Sequence, residues 1–77
     1  MAALVYFNKL SEESTAVVYS FGDSPSEMTR TLTMDRGTRR SRPDDGNVDH
    51  SFRNASRKIN ALYDAEHQWP ARGMSAC

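Results

Sequence analysis

The sequence predicts an α+β fold: a three-stranded antiparallel meander followed by one C-terminal α-helix packed on one sheet face. Three observations predict it. Two early runs are rich in valine, tyrosine and phenylalanine, and a third run alternates apolar and polar residues. Between Val48 and Trp69, apolar residues repeat with the 3.6-residue period of a helix. We expect the 77 residues to form one small domain.

The predicted strands cover about residues 3–10, 15–21 and 28–35. A four-residue polar link between the first two strands has the length of a hairpin loop. In the third strand, threonines lie on one side and apolar residues on the other. Arg30 is the one charged residue on that apolar side. Its stem can pack while its guanidinium reaches water.

The predicted helix covers about residues 50–67. Asp49 is the expected N-cap, because its carboxylate can accept hydrogen bonds from the free N–H groups of the first turn. Pro70 disfavours helical backbone at the residue before it, so the helix should end near residue 67. Glu66 falls on the apolar stripe. It must be paired if it is buried, and it is simply hydrated if the last turn overhangs the sheet.

The segment between the third strand and the helix, residues 36–47, is rich in glycine, proline and charge. A wholly irregular loop of this length is uncommon in so small a domain. We therefore expect a partly ordered, exposed polar edge of the sheet, with a mobile loop as the alternative. Residues 70–77 are expected to form a short C-terminal tail.

Composition indicates a globular chain, with 38% apolar and 26% charged residues. The single cysteine, Cys77, is the last residue and cannot form an internal disulfide. No secretory signal or membrane-spanning run is visible, so the expected location is the cytoplasm. The formal net charge is zero, but four acids without a base lie in 11–27 and four arginines without an acid in 36–42.

Catalytic motifs are not found in the sequence. It has no glycine-rich phosphate loop, nucleophile elbow or metal-ligand set, so we expect no enzyme activity, cofactor or small-molecule substrate. Residues 45–49 open like a calcium loop, D-x-N-x-D. However, His50 and Ser56 stand where that loop needs glycine and glutamate. We therefore predict no metal site.

The first two predicted strands are apolar on both sides, and one helix can cover only one side. The second face needs shielding by the C-terminal tail, by a second copy of the chain, or by another protein. The favoured function is therefore self-association or binding of a protein partner through this second apolar face. The candidate interface residues are Tyr6, Val18 and Tyr19.

The arginine-rich run 36–42 supports an alternative function, the binding of nucleic acid or another polyanion. Two helix arginines one turn apart extend the patch if the run lies near the start of the helix. The candidate residues are Arg36, Arg39, Arg40, Arg42, Arg53 and Arg57. Three aspartates follow the run closely, so a solvated loop with local charge pairing is the competing interpretation.

Overall fold

The structure, a computed structural model, describes residues 4–76 and shows five strands and one helix. In chain order these are β1 (Leu4–Glu12), β2 (Ala16–Gly22), β3 (Arg30–Asp35), β4 (Ser41–Pro43), α1 (His50–Glu66) and β5 (Arg72–Ala76). All strands belong to one antiparallel sheet with the order β4-β3-β2-β1-β5. The α+β class is confirmed, and so are the three predicted strands and the helix. Residue 3, the first of the predicted first strand, lies outside the described residues.

The prediction of a C-terminal helix and a tail was wrong, because a final strand follows the helix. β5 pairs with β1, and Tyr6 lies opposite Met74 in this ladder. A Cβ on Gly73 would lie 2.6 Å from Cζ of Phe7, so the glycine lets β5 pass over the edge of a buried ring. The pairing satisfies backbone groups of β1 that a free tail would leave open.

The basic segment contains the fourth strand. β4 pairs with β3, and Arg42 lies opposite Thr33. Residues 36–47 are therefore partly an ordered sheet edge, which was the favoured expectation. The strand is only three residues long, because the chain turns after Pro43, where the N–H of Gly46 donates to the Pro43 carbonyl.

The predicted ends of the helix are close to the observed ones. The carboxylate of Asp49 accepts the N–H of Phe52 at 3.0 Å, which is the N-cap expected from the sequence. At the other end, His67 adopts a left-handed conformation with φ of 57°, and its N–H donates to the carbonyl of Tyr63. Glu66 is exposed, so its carboxylate does not need a paired group in the core.

The core lies between α1 and one face of the sheet. The sheet contributes seven buried side chains and the helix and following loop contribute four: Val5, Phe7, Val17, Tyr19, Phe21, Leu32, Met34, Phe52, Ala55, Ile59 and Trp69. Tyr19 is fully buried in this layer, edge-on to the ring of Phe7. Its hydroxyl donates to the carbonyl of Pro70 at 2.6 Å. Burial raises the pKa of the Tyr19 phenol well above its usual range, and the charge of Glu12 adds to the shift.

The opposite, open face of the sheet is divided into two halves. Over β3 and β4 it is polar, with Thr31, Thr33 and Arg42. Over β1 and β5 it is more apolar, with Tyr6 half-buried and Met74 44% exposed. Residues 72–76 extend the sheet instead of covering this face, and Leu4 and Met74 remain exposed on it.

Candidate polyanion-binding groove

Four of the six predicted arginines line one groove between β4 and the first half of α1. The groove has a volume of about 400 Å³, and it is lined by Arg39, Arg40, Ser41, Phe52, Arg53, Ser56 and Arg57. Arg53 and Arg57 are one helical turn apart on the same side of α1, and Arg40 comes directly before β4. The sequence left open whether the basic run lies near the start of the helix, and the structure places two of its four arginines, Arg39 and Arg40, in this groove.

Side-chain contacts between β4 and α1 fix the groove. Ser41 projects from β4 on the face that α1 covers, and its hydroxyl hydrogen-bonds the hydroxyl of Ser56. Phe52 packs into the core and leaves only 6% of its surface exposed. The floor of the groove is therefore made of two hydroxyls and the margin of one aromatic ring, and the arginines form its rim.

The rim arginines carry uncompensated charge. Arg40, Arg53 and Arg57 are all exposed. Within residues 4–76, no carboxylate lies within ion-pair distance of these three guanidinium groups, and no acid lines the groove. The groove thus holds about three positive charges in a molecule whose formal net charge is zero.

The aspartates that follow the arginine run are engaged elsewhere. Arg30 bonds Asp45 at 2.8 Å and Asp49 at 2.7 Å, and its guanidinium lies 4.6 Å from the ring centroid of Phe21. Asp44 accepts from the hydroxyls of Thr31 and of Thr33. The aspartates that could have paired with the arginine run therefore bind side chains of β3 instead.

These contacts also change the acidity of the two aspartates. Hydrogen bonds from Arg30 hold the pKa of Asp49 below its usual value, with a further contribution from the Phe52 N–H. The pKa of Asp45 is lowered in the same way, first by Arg30 and then by the Asn47 N–H. Both side chains stay ionised at neutral pH and hold the loop before α1 in place.

Arg39 borders the groove but is held by the fold. Its guanidinium donates to the side-chain and backbone oxygens of Asn60 and to Asp64, at 2.8–3.0 Å. It lies 4.5 Å from the ring centroid of Tyr63 and 5.7 Å from that of Trp69. In return, the Asn60 amide donates to the Arg39 carbonyl. Arg39 therefore ties the segment before β4 to the end of α1 and has few donors left for a ligand.

The other two predicted arginines point away from the groove. Arg36 donates to the backbone carbonyl of Glu13 at 2.6 Å, which links the β1–β2 turn to the residue after β3. Arg42 alternates with its neighbours in β4 and lies on the open face opposite Thr33. Four of the six arginines thus line the groove, and one of these four, Arg39, is held by the contacts with α1.

The predicted interface residues are also divided. Tyr6 and Val18 are half-buried on the open face, whereas Tyr19 is in the core and cannot contact a partner. Next to Tyr6 is a shallow concavity of about 380 Å³, to which Pro25, Met28 and Met74 contribute. It is more apolar than the arginine groove, and the β2–β3 connection forms one of its walls.

Sequence reasoning missed the anchoring roles of Arg30 and Arg39. The patterns contained a partial signal, because Arg30 stood alone on an apolar strand face beside a later aspartate-rich loop. Arg39 gave no such signal, since its partners lie more than twenty residues away on α1.

Residues 4–76 contain neither a metal-binding cluster nor a membrane-spanning helix. No group of three or more His, Cys, Asp or Glu side chains is placed to hold a metal ion. No helix there is long and apolar enough to cross a membrane. In the comparisons with known proteins, no family model, no curated protein and no solved structure matches this chain.

Proposed function

We propose that this protein binds the phosphate backbone of nucleic acid in the groove between β4 and α1. The observation that carries the proposal is the set of three exposed arginines, Arg40, Arg53 and Arg57, around one groove without a carboxylate partner in residues 4–76. Guanidinium groups match phosphate oxygens with paired N–H donors, and their charge persists at any physiological pH.

The chemistry of the groove favours phosphate contacts over base contacts. Its aromatic residue, Phe52, is buried, so no exposed ring is offered for base stacking. The remaining groups are arginines and serine hydroxyls, which suit phosphate and sugar oxygens. The binding should therefore depend little on sequence, and its affinity should be modest because few phosphates are neutralised.

The test is a titration of a short fluorescently labelled duplex DNA, followed by anisotropy, between about 50 and 200 mM salt. With three phosphate contacts, the logarithm of the binding constant should fall against the logarithm of salt with a slope of about −3. The double variant Arg53→Ala/Arg57→Ala should reduce the slope to about −1, because each lost phosphate contact removes about one unit.

A matched control is available in Arg42→Ala. Arg42 is exposed and belongs to the same basic run, but it lies on the open face outside the groove. Its removal should leave the slope unchanged. An equal loss from Arg42→Ala and Arg53→Ala would mean diffuse attraction without a groove, and no binding at about 50 mM salt would refute the proposal.

Parallel titrations with single-stranded RNA and with heparin show whether the ligand is nucleic acid or another polyanion. Tighter binding of either nucleic acid than of heparin, at equal charge concentration, is the expected result. Preference for heparin would replace nucleic acid by a sulfated polyanion as the ligand.

A further inference from the structure

The two edge strands of the sheet differ in how well they are protected against pairing with a strand of another molecule. β4 is three residues long, carries an exposed arginine and ends in proline, which are features that discourage pairing with another strand. β5 is five residues long and contains no proline, and its one charged residue, Arg72, is at the first position of the strand. The sheet is therefore blunted at one edge and open at the other.

The ladder between β1 and β5 shows which backbone groups are free at this open edge. The N–H of Lys9 donates to the carbonyl of Ala71 at 2.7 Å, so residues 9 and 71 form a hydrogen-bonded pair. Hydrogen-bonded and non-hydrogen-bonded pairs alternate along antiparallel strands. Gly73 and Ser75 therefore bond to β1. Arg72, Met74 and Ala76 direct their N–H and carbonyl groups outward.

The outward residues are evenly spaced about Met74, which makes the edge self-complementary. We propose that the protein forms a homodimer in which β5 pairs antiparallel with β5 of a second copy, about a two-fold axis at Met74. Met74 then lies opposite Met74 of the second copy, and Arg72 lies opposite Ala76 of the second copy. Three pairs of this kind exchange about six backbone hydrogen bonds, and the two sheets join into one.

Charge allows this pairing. The two Arg72 side chains stay at opposite ends of the paired strands, and a formal net charge of zero gives no overall repulsion between copies.

Pairing at this edge also shields apolar surface. Met74 and its cross-strand neighbour Tyr6 are on the open face, and Leu4 is 40% exposed at the same end. The two-fold arrangement brings both copies of this patch together across the new strand pair. The favoured sequence-based function was self-association through the sheet face, and this proposal places the contact at the edge strand instead.

Sedimentation equilibrium under reducing conditions, from micromolar to millimolar protein, tests the dimer. The wild type should sediment with the mass of two chains at the upper concentrations. Met74→Pro removes an outward N–H and leaves the ladder to β1 intact, so this variant should be a monomer. Met74→Ala keeps the backbone groups and should still dimerise, though more weakly.

Met74→Lys gives a second route if the proline variant fails to fold. It keeps the N–H but places two ammonium groups opposite each other, so it should also be a monomer. A monomeric wild type at all concentrations overturns the proposal. A dimer that persists in both Met74→Pro and Met74→Lys also overturns it, because the contact would then be elsewhere. None of these changes touches the arginine groove, so the outcome is independent of nucleic-acid binding.

Discussion

Single residues of the same type have different roles in this fold, and the arginines show it most clearly. Arg40 is exposed without an ion-pair partner in residues 4–76, while the adjacent Arg39 contacts Asn60, Asp64 and two aromatic rings. Arg39 has a positive φ of 65°, which directs its side chain toward the helix. Composition identified a basic run, but backbone conformation decides which of its members can bind a ligand.

Arg39→Lys should lower the free energy of unfolding by about 1–2 kcal/mol, although it keeps the charge. An ammonium group cannot reproduce the planar fork that reaches Asn60 and Asp64 while it stacks on Tyr63. Urea unfolding followed by circular dichroism measures the effect. Arg40→Lys is the matched control and should leave the midpoint unchanged; equal effects at the two positions would contradict the anchoring role of Arg39.

Acid should destabilise the protein through Asp49 and Asp45. Their pKa values are lower in the folded than in the unfolded chain, where the reference value is 3.8. The folded state therefore binds fewer protons, and the contribution is complete above about pH 5 and is lost as the pH falls through the folded pKa values. Urea midpoints measured from pH 7 to pH 2.5 should decline in the acid range.

Asp49→Asn provides the comparison, because asparagine is also a good N-cap and keeps the cap hydrogen bond. The variant should be less stable than the wild type at neutral pH, and its stability should depend less on acid. Parallel pH curves for the two proteins would mean that the Arg30 contacts do not contribute to stability.

At the scale of elements, the spacing of apolar residues was sufficient to predict a strand or helix wherever the segment itself has a clear strand or helix period. β3 alternates strictly and α1 has a clear apolar stripe, so both were predicted with nearly correct ends. β5 contains Arg-Gly-Met-Ser-Ala and has no strand-forming residue pattern, so nothing local predicts it. Its structure comes from the ladder with β1 and from the space that Gly73 leaves for the Phe7 ring. Tertiary pairing of this kind cannot be read from a short window of sequence.

A second close approach between elements occurs at Gly22, at the end of β2. A Cβ there would lie 2.2 Å from the carbonyl oxygen of Glu27 and 2.9 Å from Cα of Met28, where the β2–β3 connection folds back. Gly22→Ala should therefore destabilise the protein by about 1–3 kcal/mol, since backbone must move. Thermal unfolding measures the loss, and Gly37→Ala is the control.

A Cβ at Gly37 meets only the Asp35 carboxylate oxygen, at 3.3 Å, and the control should unfold close to the wild-type temperature. If Gly22→Ala behaves like the control, the β2–β3 connection is not packed against the strand as closely as this geometry requires.

At the scale of the whole molecule, the candidate site was only partly predictable. The six arginines were named from composition and helical spacing, but three of them lie outside the groove or are held by other contacts. Two facts decide the division. The alternation of β4 sends Arg42 to one face and Ser41 to the other, and the Ser41–Ser56 hydrogen bond joins β4 to α1. Neither the short strand nor the distant contact has a sequence signature.

The ladder that joins β1 to β5 also bears on how the chain is made. β1 precedes the other four strands in the chain, yet one of its two neighbours, residues 72–76, is translated after the whole of α1. One side of β1 therefore stays unpaired on the ribosome while the rest of the sheet can already form. During that interval the nascent protein exposes a template for unwanted strand addition, and a message truncated before the codon for Arg72 would leave that template permanently open.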